Sequence, residues 1–414
     1  MWPTNDKTSG GAGLGRVGAM SADPSTPMAA DRRVVVTALL ALTLGAAVLQ
    51  SVFSGREAAL LLLGAALGMV LYHAAFGFAS SWRRFLFAGE GAGIRAQMLM
   101  LAVASAFFLP ILADGSFFGH RVVGAVAPFG TSVLVGAALF GIGMQLGGGC
   151  ASGTLYSLGG GSLGMAVTLV FFMLGSVVGT AHLPWWLAAP SLGSVSLGGL
   201  FGWGPALALQ LGCFALIWGG VRWVERRVGG AAAADPGTRA PWRRRILQGP
   251  WPLYAGGLCL ALLNVATLAV AGHPWTVSFG YTLWGAKLAA AGGIDLAAWP
   301  FWTWPFPQRA LAGSVFENST SLMNFGIIGG AMLAAGLAGR FRPKLTPSWQ
   351  PALAAAVGGF LMGYGARLAF GCNIGAYFSG VASGSLHGWL WLAGALAGTY
   401  IGGRMRPLFK LSRL

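Results

Sequence analysis

The chain has 414 residues, 56% of them hydrophobic and 9% charged, against roughly 25% charged in an ordinary soluble domain. That leaves too little polar surface to wrap a water-soluble fold. With mean hydropathy +0.69, the chain reads as an all-α polytopic membrane protein, and its continuous, non-alternating apolar runs exclude a β-barrel.

The net charge of +16 would raise nucleic-acid binding in a soluble protein. Here the basic residues form short clusters beside apolar runs: Arg32 and Arg33; Arg83 and Arg84; Arg222, Arg226 and Arg227 with Arg243 to Arg245; Arg340, Arg342 and Lys344; Arg404, Arg406 and Lys410. That is the positive-inside pattern, so the expected partner is a lipid bilayer and no nucleic acid is expected. The cysteines Cys150, Cys213, Cys259 and Cys372 lie far apart, giving neither a disulfide framework nor a zinc site, and no cofactor is implied.

In chain order, residues 1–31 are polar and read as a disordered cytoplasmic tail. An N-terminal membrane half, 32–220, holds predicted spans at 34–53, 58–76, 96–112, 128–146, 162–181 and 198–220. Residues 221–250 read as a basic cytoplasmic linker, and a C-terminal half, 251–414, holds spans at 253–271, 321–338, 352–369 and 387–402. With a cytoplasmic N-terminus and one crossing per span, every basic cluster falls inside and the C-terminus returns there. Between the seventh and eighth spans, residues 272–320 include Lys287 and the tract Trp299-Pro-Phe-Trp-Thr-Trp-Pro-Phe-Pro. This stretch is too broken by proline to span, and predicts a short half-helix plus an aromatic belt at the outer interface.

Glycine is 68 of 414 residues, and part of that excess belongs to an internal repeat. Gly141-Ile-Gly-Met-Gln-Leu-Gly-Gly-Gly-Cys150-Ala-Ser-Gly153 lies without a gap on Gly363-Tyr-Gly-Ala-Arg-Leu-Ala-Phe-Gly-Cys372-Asn-Ile-Gly375. One residue of insertion later, Gly161-Ser-Leu meets Gly384-Ser-Leu, and Gly175 and Gly179 meet Gly398 and Gly402. An odd number of crossings separates the copies, so the second runs opposite to the first. The expected architecture is an inverted-repeat helical bundle with central re-entrant Gly-Cys loops, the arrangement that puts a transporter's substrate site near the midplane.

Each cysteine has glycine at the preceding position and three later, Gly149 and Gly153 in one loop, Gly371 and Gly375 in the other. Ser152 and Asn373 add polar atoms beside them. Glycine opens the backbone to close approach and bares N–H groups. A helix starting at Ser162 or near Ser385 would complete an anion cradle. The thiols add a soft, polarizable donor, so an anion bearing a terminal sulfur would use both features. Gln145 and Arg367 occupy matching places five residues before each cysteine, and Arg367 either snorkels or draws anions into an outer vestibule. Cys213 and Cys259 read as small buried hydrophobes, and Gly64 with Gly68, Gly175 with Gly179 and Gly394 with Gly398 as helix-packing faces. The isolated His73, His182 and His387 suggest no metal site. Neither loop offers a nearby general base, so the chain is not expected to be an enzyme.

The paired Gly-Cys-x-x-Gly loops, together with Ser319-Thr-Ser-Leu-Met-Asn-Phe-Gly-Ile-Ile-Gly-Gly-Ala and the basic residues after it, resemble the YeeE/YedE sulfur-transport family. The resemblance implies an hourglass-like fold in the bacterial inner membrane and uptake of thiosulfate or a related small sulfur anion, with Cys150 and Cys372 as the central cysteines that contact it. The thiosulfate-transporting members carry a further cysteine early in the first half. The matching stretch here, Ala74-Ala-Phe-Gly-Phe-Ala-Ser-Ser-Trp, has none, and Gly77 or a neighbour stands in its place. The alternative reading is a sulfur relay, in which Cys150 accepts persulfide sulfur and passes it to a cytoplasmic carrier protein.

Overall fold

The computed structural model describes residues 29–228, 242–343 and 348–414. Most of the expected tail (1–28), the centre of the expected linker (229–241) and Lys344 lie outside the described residues. The helices are α1 (Arg32–Val52), α2 (Gly55–His73), α3 (Phe78–Ala88), α4 (Ala92–Asp114), α5 (Thr131–Leu146), α6 (Ala151–Gly159), α7 (Gly164–Leu187), α8 (Leu197–Phe201) and α9 (Trp203–Val228). They continue as α10 (Trp242–Gln248), α11 (Leu253–Ala271), α12 (Ser278–Ala291), α13 (Pro305–Ala312), α14 (Ser319–Leu337), α15 (Trp349–Leu368), α16 (Gly380–Ala382) and α17 (Leu386–Met405). A π-helical run, Asn373–Ser379, leads into α16. Among the described residues, two short β-ribbons accompany them, Ser116–Phe117 with His120–Arg121 and Pro128–Gly130 with Ser191–Ser194.

The apolar runs set the helices, and polar or glycine residues punctuate them. Asp31 caps α1 through the amides of Arg33 and Val34, and Asn318 caps α14 through that of Ser321 at 2.9 Å. Gly89, Gly115 and Gly272 end α3, α4 and α11 in the left-handed conformation. Among the described residues, eight helical spans are long and apolar enough to cross a membrane, and the bent pair of α15 with Asn373–Ala382 makes a ninth. The tenth expected span falls on α17, outside that set, with its glycines turned into the bundle. Helix α9 runs on to Val228, beyond the expected end of its span.

Helix contacts obey the repeat. A Cβ on Gly141 (α5) would lie 2.3 Å from Ala395 O and 2.9 Å from Thr399 N, while one on its counterpart Gly363 (α15) would lie 2.1 Å from Phe172 O and 2.7 Å from Ser176 N. Gly175 likewise meets Phe360 O at 2.2 Å and Gly398 meets Ala138 O at 2.0 Å. Thus α15 on α7 repeats α5 on α17, contact for contact. Helices α5 and α15 also pack on each other, Gly136 against Gly365 and Gly143 against Gly358. Residue numbers rise along one helix as they fall along the other, so the two copies are antiparallel, as an inverted repeat requires. Between α2 and α14 the Cβ positions of Gly64 and Gly68 would come within 2.3 and 2.2 Å of Met323 O and Ile327 O. The expected packing glycines therefore let backbones touch, where any side chain would force the helices apart.

The stretch 272–320 departs from expectation. The half-helix is α12, but within the aromatic tract Phe301 and Trp302 are buried against Val177, Leu183 and Leu283, because proline-rich turns fold it back onto α7, while Trp304 and Phe306 stay exposed. Lys287 anchors the fold-back by donating to Leu311 O at 2.8 Å and Gly313 O at 2.7 Å.

Candidate functional site

Each half contains two breaks. In the first, Ala74 to Gly77 separates α2 from α3 and Gly147 to Cys150 separates α5 from α6; in the second, Gly272 to Val277 separates α11 from α12 and Ala369 to Cys372 separates α15 from the π-helical run. Glycine and left-handed residues make these breaks: Gly148 has φ +80, and Phe370, two residues before Cys372, has φ +56, a conformation that a bulky side chain rarely adopts.

The cysteines themselves start the helical segments beyond the breaks. Cys150 is the N-cap of α6 and Cys372 that of the π-helical run, both with extended backbone. The helix N-termini beside the thiols are thus at Ala151 and Asn373, not at Ser162 or Ser385, because each glycine run ends at its cysteine and leaves no further loop to cross. The amides of Ser152 and Gly153 face the Cys150 sulfur, and the Ser152 hydroxyl lies 3.5 Å from it. The amides of Ile374, Gly375 and, from α12, Ser278 face the Cys372 sulfur. Each thiol therefore sits at the positive end of a helix, among N–H groups. Both are buried, Cys150 at 2% and Cys372 at 0% exposure.

The two loops meet at the first turn of α12. Ser278 opens that turn beside Cys372, and Tyr281 closes it by donating its hydroxyl to Ala151 O at 2.8 Å, next to Cys150. Ser278 and Tyr281, about one helical turn apart, thus touch both loops. On the far side, Trp391 Nε1 donates to Gly371 O at 3.2 Å, and Tyr377 stacks on the Trp391 ring.

The other expected residues divide. A Cβ at Gly153 would make ordinary contact, 3.5 Å from the Cys150 sulfur, whereas one at Gly371 would fall 2.7 Å from Ala376 N. Gly149 and Gly375 have ordinary room at 3.4 and 3.6 Å. Asn373 is fully buried beside Cys372, with Nδ2 3.9 Å from Met144 Sδ and Oδ1 without a partner. Gln145 points away from the thiols: its amide donates to Ala79 O at 3.1 Å and accepts from Arg83 Nη1 at 3.0 Å. Arg367 is half-buried, its guanidinium 5.0 Å from the Phe301 ring centre. Three cavities lie near these elements, with volumes of about 300, 350 and 480 Å³. The first reaches Phe370 from the α5 N-terminus and the largest reaches the Ala74–Ala75 break, but neither is lined by Cys150 or Cys372.

The family described as Sulphur transport matches residues 73–401, both cysteine loops included. The chain belongs to this family. It is 29% identical over 356 residues to the thiosulfate transporter TsuA of Spirochaeta thermophila, covering 80% of this chain and 93% of that one. It is 24% identical over 348 residues to the TsuA of Escherichia coli K12, covering 82% and 92%. A shorter match, 29% over 163 residues, to the probable transporter YedE of Escherichia coli K12 covers 39% of this chain and only 40% of that protein's length.

For this sulphur-transport family member, sequence reasoning missed Ser278, Tyr281 and Trp391, which come to the cysteines from other elements. Helix α12 was legible as a half-helix, and by the repeat it corresponds to α3, whose N-cap is Gly77. A Cβ at Gly77 would lie 3.7 Å from the Tyr156 hydroxyl on α6. The cysteine-free break of the first half thus adjoins the Cys150 helix, as the α11–α12 break adjoins Cys372.

Proposed function

We propose that the protein takes up thiosulfate or a related small sulfur anion across the bacterial inner membrane, passing it without covalent chemistry between Cys150 and Cys372. What carries this reading is the symmetric placement of two buried thiols, each at a helix N-terminus amid bare amides, meeting at α12 from opposite copies of an inverted repeat. A charge at the bilayer centre costs at least about 2.5–3.5 kcal/mol, so an anion needs a succession of partners across the constriction. The partners must also be weak enough to release it. Thiol donors and backbone amides meet both demands, with Ser152, Gly153, Asn373 and Gly375 as neighbouring contacts. Tyr281 holds the two loops in register. Both termini are assigned to the cytoplasm by the basic clusters, and the relative directions of the packed helices agree with one crossing per span.

The test is uptake of sulfur-labelled thiosulfate into proteoliposomes. Cys150→Ala and Cys372→Ala are each expected to bring uptake to background while the protein still elutes as a single monodisperse species. Unchanged uptake in both variants would overturn the proposal, and a persulfide on Cys150 found by mass spectrometry during turnover would replace passage by sulfur relay.

A further inference from the structure

The Cys150 loop begins with a pair of glycines that precede the thiol. Gly147 ends α5 in the right-handed conformation (φ −73, ψ −3), and Gly148 comes next in the left-handed one (φ +80). Such a pair turns consecutive N–H groups toward one point, a concavity that suits an anion. Gly147 N–H is spent on Gly143 O at 2.8 Å, but those of Gly148 and Gly149 have no partner among the described residues, and Gly148 is exposed.

Two guanidiniums are held on the last turn of α5, just before this glycine pair. Arg83 Nη1 donates to Gln145 Oε1 at 3.0 Å, and Arg406 Nη1 to Gln145 O at 2.5 Å, so both are held on the residue three before Gly148. Among the described residues neither has a carboxylate within salt-bridge reach, and Arg83 Nε is buried with no partner at all. Arg406 is only 9% exposed. Capping the last carbonyls of α5 needs one cation. A second, half out of water and without a counter-ion, is an electrostatic cost that a bound anion would relieve. Guanidinium forks match the paired oxygens of a tetrahedral oxyanion, and the two free amides supply further donors.

We propose that Arg83, Arg406 and the amides of Gly148 and Gly149 form a station for a tetrahedral oxyanion at the mouth of the Cys150 loop. It rests on the transport reading, as the stop next to the thiols for the same sulfur anion. A phospholipid headgroup phosphate shares this chemistry, so the test must separate the two sources.

The full chain carrying both Cys150→Ala and Cys372→Ala, in which the thiol site is removed, is titrated calorimetrically with sulfate and with thiosulfate in nanodiscs. Binding is expected to persist in this background, and Arg83→Gln is expected to weaken it at least 10-fold. Arg406→Lys, which keeps a cation at the last carbonyls of α5 but loses the fork, is expected to weaken it severalfold with no change in melting temperature in anion-free buffer. Loss of binding in the double-alanine background, or binding unchanged by both arginine variants, would overturn the station and leave the cysteine reading intact. Nanodiscs of neutral lipid and nanodiscs containing phosphatidylglycerol are expected to give the same sulfate affinity. Displacement of sulfate by phosphatidylglycerol would overturn the free-anion assignment and give the station to a lipid phosphate.

Discussion

After Cys150 the chain makes nine residues of regular α-helix, whereas after Cys372 it makes seven residues of π-helix before three of α-helix. The difference has a visible origin in the repeat: the copies align without a gap through Gly153 and Gly375, then the second copy carries one extra residue before Gly384. A single inserted residue in a helix is absorbed as a π-turn, which rotates the helix beyond it. Here the π-run brings the Ser379 hydroxyl to Trp275 O at 2.7 Å and within 3.2 Å of Asn264 Nδ2, locking the Cys372 loop to the α11–α12 break. Every residue of that run is buried, whereas Tyr156, Ser157 and Leu158 in the helix after Cys150 are only half-buried. One motif has thus produced a fully buried segment after Cys372 and a partly open one after Cys150, and the two differ by one inserted residue.

Substitutions in the two loops put that contrast at risk. The largest effect is expected from Gly371→Ala, whose Cβ would strike Ala376 N at 2.7 Å. It should abolish uptake, whereas Gly149→Ala, with 3.4 Å of clearance, should leave it within about threefold; equal losses would mean the two loops are equally tight. Next is Tyr281→Phe, which removes the tie from α12 to the Cys150 loop and leaves Ala151 O without that donor. Roughly 1–3 kcal/mol is at stake, so uptake should fall about tenfold with the fold retained, read by labelled-anion uptake beside thermal unfolding. In a Cys213→Ala, Cys259→Ala background, a small methanethiosulfonate should modify Cys150 faster than Cys372 by at least about tenfold, as expected for opening fluctuations that expose the less sealed loop more often. The reverse order would refute the contrast. Smallest is Gly148→Ala, which places a Cβ in the left-handed region at about 1–2 kcal/mol and should lower the melting temperature by a few degrees.

Much of the site was legible because its signal is covalently local. The recurrence of glycine around Cys150 and Cys372 survives in any one-dimensional comparison, and so did the one-residue offset. What pairs with those loops was not legible. Gln145 looked like a pathway residue from its place in the repeat, yet its side chain is bound by Arg83 and Ala79 O. Nothing in the sequence sets Tyr281 and Trp391 apart from other aromatics in apolar helices, and only packing brought their donors to Ala151 O and Gly371 O. The aromatic tract at Trp299 matched an interfacial belt by composition, and proline-driven reversal buried part of it instead.

That the chain is helical, membrane-embedded and built twice over in opposite senses was already written in its residues, because low charge, run length and repeat spacing depend only on neighbours along the chain. Packing in three dimensions settled which glycines let helices touch, that both cysteines cap helices near one turn of α12, and that the segment after Cys372 is wholly buried while that after Cys150 is not. Those outcomes depend on how close two backbones approach, a property of pairs of elements that no single stretch of sequence contains.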